Sequence, residues 1–245
     1  MELTYNDFKK RALDGELSKW EKIGFPDSYR KGIEKLIFKD IAFKLGLESN
    51  SVKRILDIGC GCSDLVNNIL TFCEKFDKTL TLVDSKEMLN IIPPNLKSNN
   101  KGVELVPGKF PNTKILYENT NKLYDAIIVY SVIQYPFIEM SIYHFINKCL
   151  ELLNDNGKVL IGDIPNVSTR NRFIKSKDGI SFQRNNITFA KNVEIQHSDE
   201  ERIDDAVVLS ILQRFRNFGF ETYLLPQPEG LPFANRREDI LIIKR

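Results

Sequence analysis

The spacing of apolar residues along this chain changes near residue 52. Before that point the period is helical. Ile33, Leu36, Ile37, Ile41, Phe43 and Leu45 recur at roughly one-turn intervals and the run stops at Gly46, which predicts a helix ending there. Residues 4–30 are polar with scattered aromatics, Tyr5, Phe8, Trp20, Phe25 and Tyr29. They read as a helical arm followed by a loop, GFPDSYR. Beyond residue 52, short apolar runs alternate with amphipathic ones. VKRILDIG predicts a strand, SDLVNNILTFCEKF a helix, and TLTLVDS a second strand. VELVPGKF follows as a third. YDAIIVYSVI is a continuous apolar run, as expected of a strand buried on both faces. FIEMSIYHFINKCLELL predicts one helix closed by NDNG, with Gly157 at its C-terminus, and KVLIGDIP a fifth strand.

Residues 166–198 break the rhythm. They are polar and basic, with room for a short hairpin, and read as an insertion that covers something. SDEE then predicts a helix start, with Ser198 and Glu201 as a capping box, and that helix runs to Gly219. FETYLLPQP and REDILIIKR are two strands without a crossover helix between them, so they should be antiparallel. Strand–helix alternation implies an α/β fold with a doubly wound, mostly parallel sheet and right-handed crossovers. The simplest organisation is an N-terminal helical cap over 1–50 and one domain over 51–245, with residues 166–198 as its inserted lid.

Composition narrows the function classes. A chain of 245 residues, 42% apolar and 28% charged, has an ordinary globular make-up. A net charge of +2 gives no reason to expect a nucleic acid or a membrane as partner. The start lacks the apolar core of a signal peptide, no run approaches membrane-spanning length, and a cytoplasmic protein is expected. Cys60, Cys62, Cys73 and Cys149 form no CxxC pair, and no His/Cys cluster offers a metal site.

LDIGCGCSDL, residues 56–65, carries the main chemical signal. Asp57 closes the first strand, and Gly59 and Gly61 remove side chains where a ligand would approach. Asp64 stands where a dinucleotide-binding turn would meet pyrophosphate, and an acid there repels it. Asp84, at the end of the second strand, suits ribose hydroxyls. Two acids and a bare turn point to a nucleoside with a cationic tail, a description that fits S-adenosylmethionine (SAM). In order, LDIGCGCSDL, LTLVDSKEML, VPGKFP, YDAIIVYSVIQY and LLNDNGKVLIGDIP resemble the class I SAM-dependent methyltransferases over residues 52–165. The resemblance implies strand order 3-2-1-4-5-7-6 with strand 7 antiparallel. It also implies that Gly59, Cys60 and Gly61 lie against the methionine part of SAM, that Asp84 takes the ribose, and that Ser85 and Met88 border the adenine. Ser131 and Tyr135 would flank the methionine end. Two departures stand out. GKF, with Lys109, replaces the acid that often meets the adenine amino group, which leaves Phe110 to hold the ring. SVIQYP replaces the NPP[YF] of amide- and base-directed N-methyltransferases and disfavours those.

Candidates for the rest of the site are fewer. Arg30, with Tyr29, is placed to close the cofactor pocket from the cap. Asp163, ending strand five, is either a base for the acceptor or a carboxylate that orders a loop. His197 is the second candidate base, whereas His144 falls off the apolar face of its helix and should be solvated. Arg170 and Arg172 follow strand five, and Arg236 and Arg237 sit in the loop between the last two strands. Both segments should emerge on the carboxyl edge, so Arg170 or Arg172 and Arg236 or Arg237 are expected to grip a small anionic substrate. GDIPN, RNRF and LPFANRREDILI are similar to bacterial methyltransferases of capsule and other surface-glycan precursors. The reading is therefore a SAM-dependent methyltransferase acting on oxygen of a phosphorylated sugar, nucleotide sugar or related precursor. The alternatives are an RNA or protein methyltransferase and a non-catalytic SAM-binding protein.

Overall fold

The computed structural model describes residues 3–94, 102–118, 123–185 and 202–245. Among them seven strands form one sheet: β1 (Arg54–Ile58), β2 (Thr79–Asp84), β3 (Val103–Pro107), β4 (Tyr124–Tyr130), β5 (Leu153–Pro165), β6 (Glu221–Pro226) and β7 (Arg237–Ile243). Their order is β3-β2-β1-β4-β5-β7-β6. The first five are mutually parallel, and β7 runs antiparallel to both β5 and β6. This is the doubly wound sheet expected from the sequence.

Strand alternation divides the core between the two faces. Leu56, Ile127, Val159 and Ile242 face one helical layer. Ile55, Ile128, Leu160 and Leu241 face the other. The first layer includes α7 (Ile115–Glu118), α8 (Gln134–Glu139), α9 (Ile142–Glu151) and α12 (Asp205–Asn217). The second is built on α5 (Asp64–Lys75) and α4 (Glu34–Leu45). In α4 the stripe Ile37, Ile41 and Leu45 is buried while Phe43 is 85% exposed. Each fully buried Ile or Leu contributes about 1.5–3 kcal/mol, which docks α4 against α5 and β5. Gly46 ends α4 in the left-handed conformation, as its position predicts. Ahead of α4, α1 (Tyr5–Leu13), α2 (Lys19–Lys22) and α3 (Asp27–Arg30) form the arm, and the expected loop at GFPDSYR winds into α3. Capping boxes start α1 at Thr4 and α2 at Ser18. α1 packs on α6 (Lys86–Ile91), next to β2.

Four local expectations differ. The helix after β4 is two helices, because Ser141 caps the second one. Gly157 is not a helix C-cap. α9 ends at Leu152, Gly157 lies within β5, and Asn156 takes the positive φ of 62°. The part of 166–198 that is described is helical rather than a hairpin: α10 (Val167–Lys175) and α11 (Lys177–Asn185). Asn166 dictates this start, its side chain accepting from the Ser168 and Thr169 amides. The last helix, α12, begins at Asp205 under an Asp204 cap bonded to the Val207 amide. Ser198 and Glu201, the expected capping box, lie outside the described residues. Among the described residues no helix is long and apolar enough to cross a membrane.

Candidate active site

The carboxyl ends of β1, β2 and β4 open into one cavity. The turn after β1 is what shapes it. Gly59 and Gly61 have φ of 71° and 63°, a region that side chains strongly disfavour. A Cβ on Gly59 would stand 2.6 Å from Val132 Cγ2, and one on Gly61 2.7 Å from Ile23 Cγ2. The space that glycine saves is thus taken first by the chain's own packing, with both neighbours lining the cavity. Asp84 locks the turn: its Oδ2 accepts from the Gly61 amide at 2.9 Å and its Oδ1 from the Ser85 amide at 2.6 Å.

Two acids at strand ends, Asp57 and Asp84, face this largely apolar cavity, and a third, Glu139, lines it paired with Lys109. Burial pushes the Asp57 carboxyl up to about 8, and the nearby Asp84 charge adds to it. Burial also raises Asp84, to about 6, against the opposing pull of its two amide bonds. Acids held this far above their ordinary range favour a cation beside them. Cys60 also lines the cavity, and its thiol is pushed well up by burial and then by Asp84 and Asp57, so it stays neutral.

Most of the residues expected at the cofactor do line this cavity: Asp57, Gly59, Cys60, Gly61, Asp84, Met88, Phe110, Ser131, Tyr135 and Arg30. Ser85 does not. Its side chain turns back to cap α6 at the Met88 amide. Phe110 is also a core residue, edge-on to Phe145 at 5.1 Å. Lys109 pairs with Glu139 at 2.6 Å. The arm supplies a wall the sequence pattern did not assign to the site: Tyr5, Phe8, Ile23 and Phe25. Phe8 meets Tyr135 edge-on at 5.0 Å, which ties α1 to α8.

Behind the cavity lies a buried ionic junction. Ser131 and Asp163 both have φ of 60°, and β5 is bulged between Ile161 and Ile164. The bulge re-aims Asp163. Its Oδ2 accepts from Ser131 Oγ at 2.5 Å and from Arg237 at 2.8 Å, with Arg30 at 3.4 Å. Gln227 reaches its Oδ1 at 3.4 Å. Arg30 is 4% exposed and stacks over Phe25 at 4.0 Å. Both oxygens of this carboxylate are thus engaged, Oδ2 by Ser131, Arg237 and Arg30 and Oδ1 by Gln227. These are the contacts that the loop-ordering reading of Asp163 describes. His197, the other expected base, lies outside the described residues.

A second, polar cavity lies on the other side of α8, lined by Gln134, Asn166, Arg170, Arg202, Arg236 and Arg237 among others. Of the expected arginines, Arg172 is absent from this lining. It is exposed and pairs with Asp205. Arg237 lines the cavity but is held by Asp163. Arg202, preceding α12, was not singled out from sequence. Its contact with the site depends on the fold bringing residues 167 and 203 together, through the Val167 amide and the Ile203 carbonyl at 2.9 Å.

No family model matches this chain. No curated protein matches it by sequence. Solved structures do. The plantazolicin methyltransferase BpumL, in complex with a triazolic desmethylPZN analog and S-adenosylhomocysteine (SAH), matches at TM-score 0.60 with 14% identity, over 98% of both chains. The N-methyltransferase NodS from Bradyrhizobium japonicum, in complex with SAH, matches at 0.55 with 15% identity over 99% of both. A putative O-methyltransferase from Klebsiella pneumoniae matches at 0.52 with 12% identity, over 100% of this chain and 91% of that one. At this level of identity what is shared is the fold: this chain has the architecture in which those methyltransferases are built.

Proposed function

We propose that this protein is a SAM-dependent methyltransferase acting on a small anionic acceptor. The observation that carries this reading is the pairing of two cavities across the first turn of α8, one facing two acids and one lined by arginines. Asp57 and Asp84 suit a cationic cofactor, and Gly59, Gly61 and the apolar arm suit its close enclosure. Asp84 is the group to hold the ribose hydroxyls, and Arg30 stands on the cavity wall where a carboxylate would find a guanidinium. Bound SAM would supply a methyl group on a cationic sulfonium; transfer would break the carbon–sulfur bond as the acceptor oxygen bonds the carbon, giving SAH, the methylated acceptor and a proton released to solvent. The chain's own part is positional: it encloses one partner, orients the other and keeps water out between them. SAH complexes of the BpumL and NodS structures support the cofactor. The arginines support an anion. A phosphorylated sugar, nucleotide sugar or other surface-glycan precursor is the acceptor that the C-terminal motifs imply, and the cavity favours its charge without favouring its sugar.

Calorimetric titration with SAM, followed by SAH release in a screen of phosphorylated and carboxylated acceptors, tests the reading. SAM binding with turnover on an anionic acceptor is the expected result. Failure to bind SAM overturns it.

A further inference from the structure

The arginines of the second cavity come from three separate elements, and Asn166 holds those elements together. Asn166 is 2% exposed. Its Nδ2 donates to Glu238 on β7 at 2.5 Å and to Asp205 on α12 at 2.8 Å, while its Oδ1 caps α10. Arg170 from α10, Arg202 from the approach to α12, and Arg236 and Arg237 from the start of β7 are thereby brought to one mouth. Like charges converge there at a cost. Burial, and then Arg202, lower the proton affinity of Arg170, and burial with Arg237 and Arg170 lowers that of Arg236. Asp163 answers Arg237. Phe233 stacks on Arg236 at 4.7 Å and fixes its plane. The start of α10 adds no free backbone donor in its first three amides, since Val167 is bonded to Ile203 and Ser168 and Thr169 to Asn166. Recognition in this cavity therefore falls to guanidinium groups.

Gln134 stands between the two cavities, next to Tyr135 and Pro136 of the cofactor wall. Its Nε2 donates to the Ser131 carbonyl at 3.0 Å, which fixes which end of the amide is oxygen, since the reverse would set two acceptors against each other. Its Oε1 is buried and has no hydrogen-bond partner among the described residues. A buried acceptor left unpaired is costly, and a ligand that brings a proton donor relieves it.

We propose, building on the methyl-transfer reading, that Arg170, Arg202 and Arg236 seat a phosphate group of the acceptor, and that Gln134 Oε1 takes a hydrogen bond from a hydroxyl adjacent to that phosphate. Three guanidinium groups arriving from three elements match the tetrahedral spread of phosphate oxygens. A carboxylate, flat and singly charged, engages one fork or two. Arg202 and Gln134 are thus specificity-determining residues, one for the phosphate and one for its neighbouring hydroxyl.

Calorimetry on the full chain saturated with SAH decides this, with methyl phosphate, glycerol 3-phosphate and acetate as probes. Both phosphates should bind at least about 10-fold more tightly than acetate, and glycerol 3-phosphate more tightly than methyl phosphate. Arg202→Ala should weaken both phosphates roughly 10-fold or more, the scale of one charge-assisted contact, with Arg202→Lys recovering part of it. Gln134→Leu should erase the advantage of glycerol 3-phosphate and leave methyl phosphate binding as it was. SAH affinity should not move in either Arg202 variant. Phosphates that bind no better than acetate, or that ignore Arg202→Ala while SAH still binds, overturn this proposal alone. If SAH does not bind the unaltered protein, the methyl-transfer reading fails, and the same phosphate titrations without SAH still judge the anion site.

Discussion

The cofactor-side cavity and the arginine cavity share the first turn of α8 as a wall, yet they are built by opposite means. The first is assembled mainly from successive strand ends: Asp57 and the glycines after β1, Asp84 after β2, Ser131 after β4. It is largely apolar, with two acids of raised pKa at its strand ends, and Arg30 and the Lys109–Glu139 pair on its wall. The second is assembled from residues 134, 165–167, 170, 202–203, 233 and 236–237, and its charge is carried by arginines. Where a ligand site follows a strand–turn–helix rule, local sequence specifies it. Where four distant segments meet, only the fold does.

That contrast decides what was legible. The G-x-G turn, Asp84 and the order of elements can be read in one direction along the chain, and β-α alternation leaves few topologies. The site's other half escaped for identifiable reasons. Arg202 has no motif around it. Gln134 matters for an unpaired oxygen, which no spacing reveals. Arg172 and Arg170 look alike in RNRF and its neighbours, but α10 points only one of them at the cavity. Asp163 lies near the end of an apolar strand, and the bulge that turns it onto Arg30 and Arg237 is invisible in the letters GDIP.

The junction at Asp163 is where the two regions are tied, so breaking it should give the largest effect. Asp163→Ala leaves Arg30 and Arg237 without their shared counter-charge in a buried setting. Loss of one partner of such a cluster costs about 3–5 kcal/mol. We expect a fall in Tm of roughly 10 °C for a chain of this size. A variant that keeps its Tm and its cofactor affinity but loses turnover would favour the base reading of this residue.

Within the cofactor cavity, Asp84→Ala should weaken SAM binding about 10- to 100-fold, the worth of about 1.5–3 kcal/mol in hydrogen bonds to a charged group. The Gly61 amide also loses its partner, so the turn should loosen. Phosphate affinity at the arginine cavity should stay the same. Parallel titrations with SAM and methyl phosphate check both halves, and an equal loss of the two ligands would mean that the cavities are not separable.

The charge contrast has a pH signature. Asp57 keeps its proton up to about 8 in the folded chain, whereas in the unfolded chain a carboxyl of this type loses it near 4. Between those values the unfolded state binds fewer protons, so stability falls as pH rises through the window. Asp57→Asn cannot ionise and should gain Tm over the parent by a few degrees at pH 8 and by little at pH 4. SAM affinity should run the other way in the parent, strengthening from pH 5 to 8 as Asp84 and then Asp57 become available as anions. Thermal melts and calorimetry across that range test both signs; a flat profile for the parent and variant alike would remove these two acids from cofactor recognition.

The smallest effect should come from Arg172, and it sharpens the comparison because Arg170 is only two residues away. Arg172 is exposed at one end of α10 and pairs with Asp205, itself 42% exposed, so solvent screens most of their attraction. Such surface pairs contribute about 0.2–1 kcal/mol. Arg172→Ala should therefore lower Tm by no more than about 2–4 °C, the shift expected for 1 kcal/mol. Methyl phosphate affinity should be almost unaffected, because the side chain does not line the arginine cavity. Arg170→Ala should instead weaken that affinity roughly 10-fold. Asp205 also holds Asn166, which keeps the three elements together, and that bond falls on Oδ1 while Arg172 rests chiefly on Oδ2, so it survives the loss of Arg172. Equal phosphate losses in the two variants would mean that α10 recognises anions through its general charge. Unequal losses would assign recognition to the one arginine that the helix turns inward.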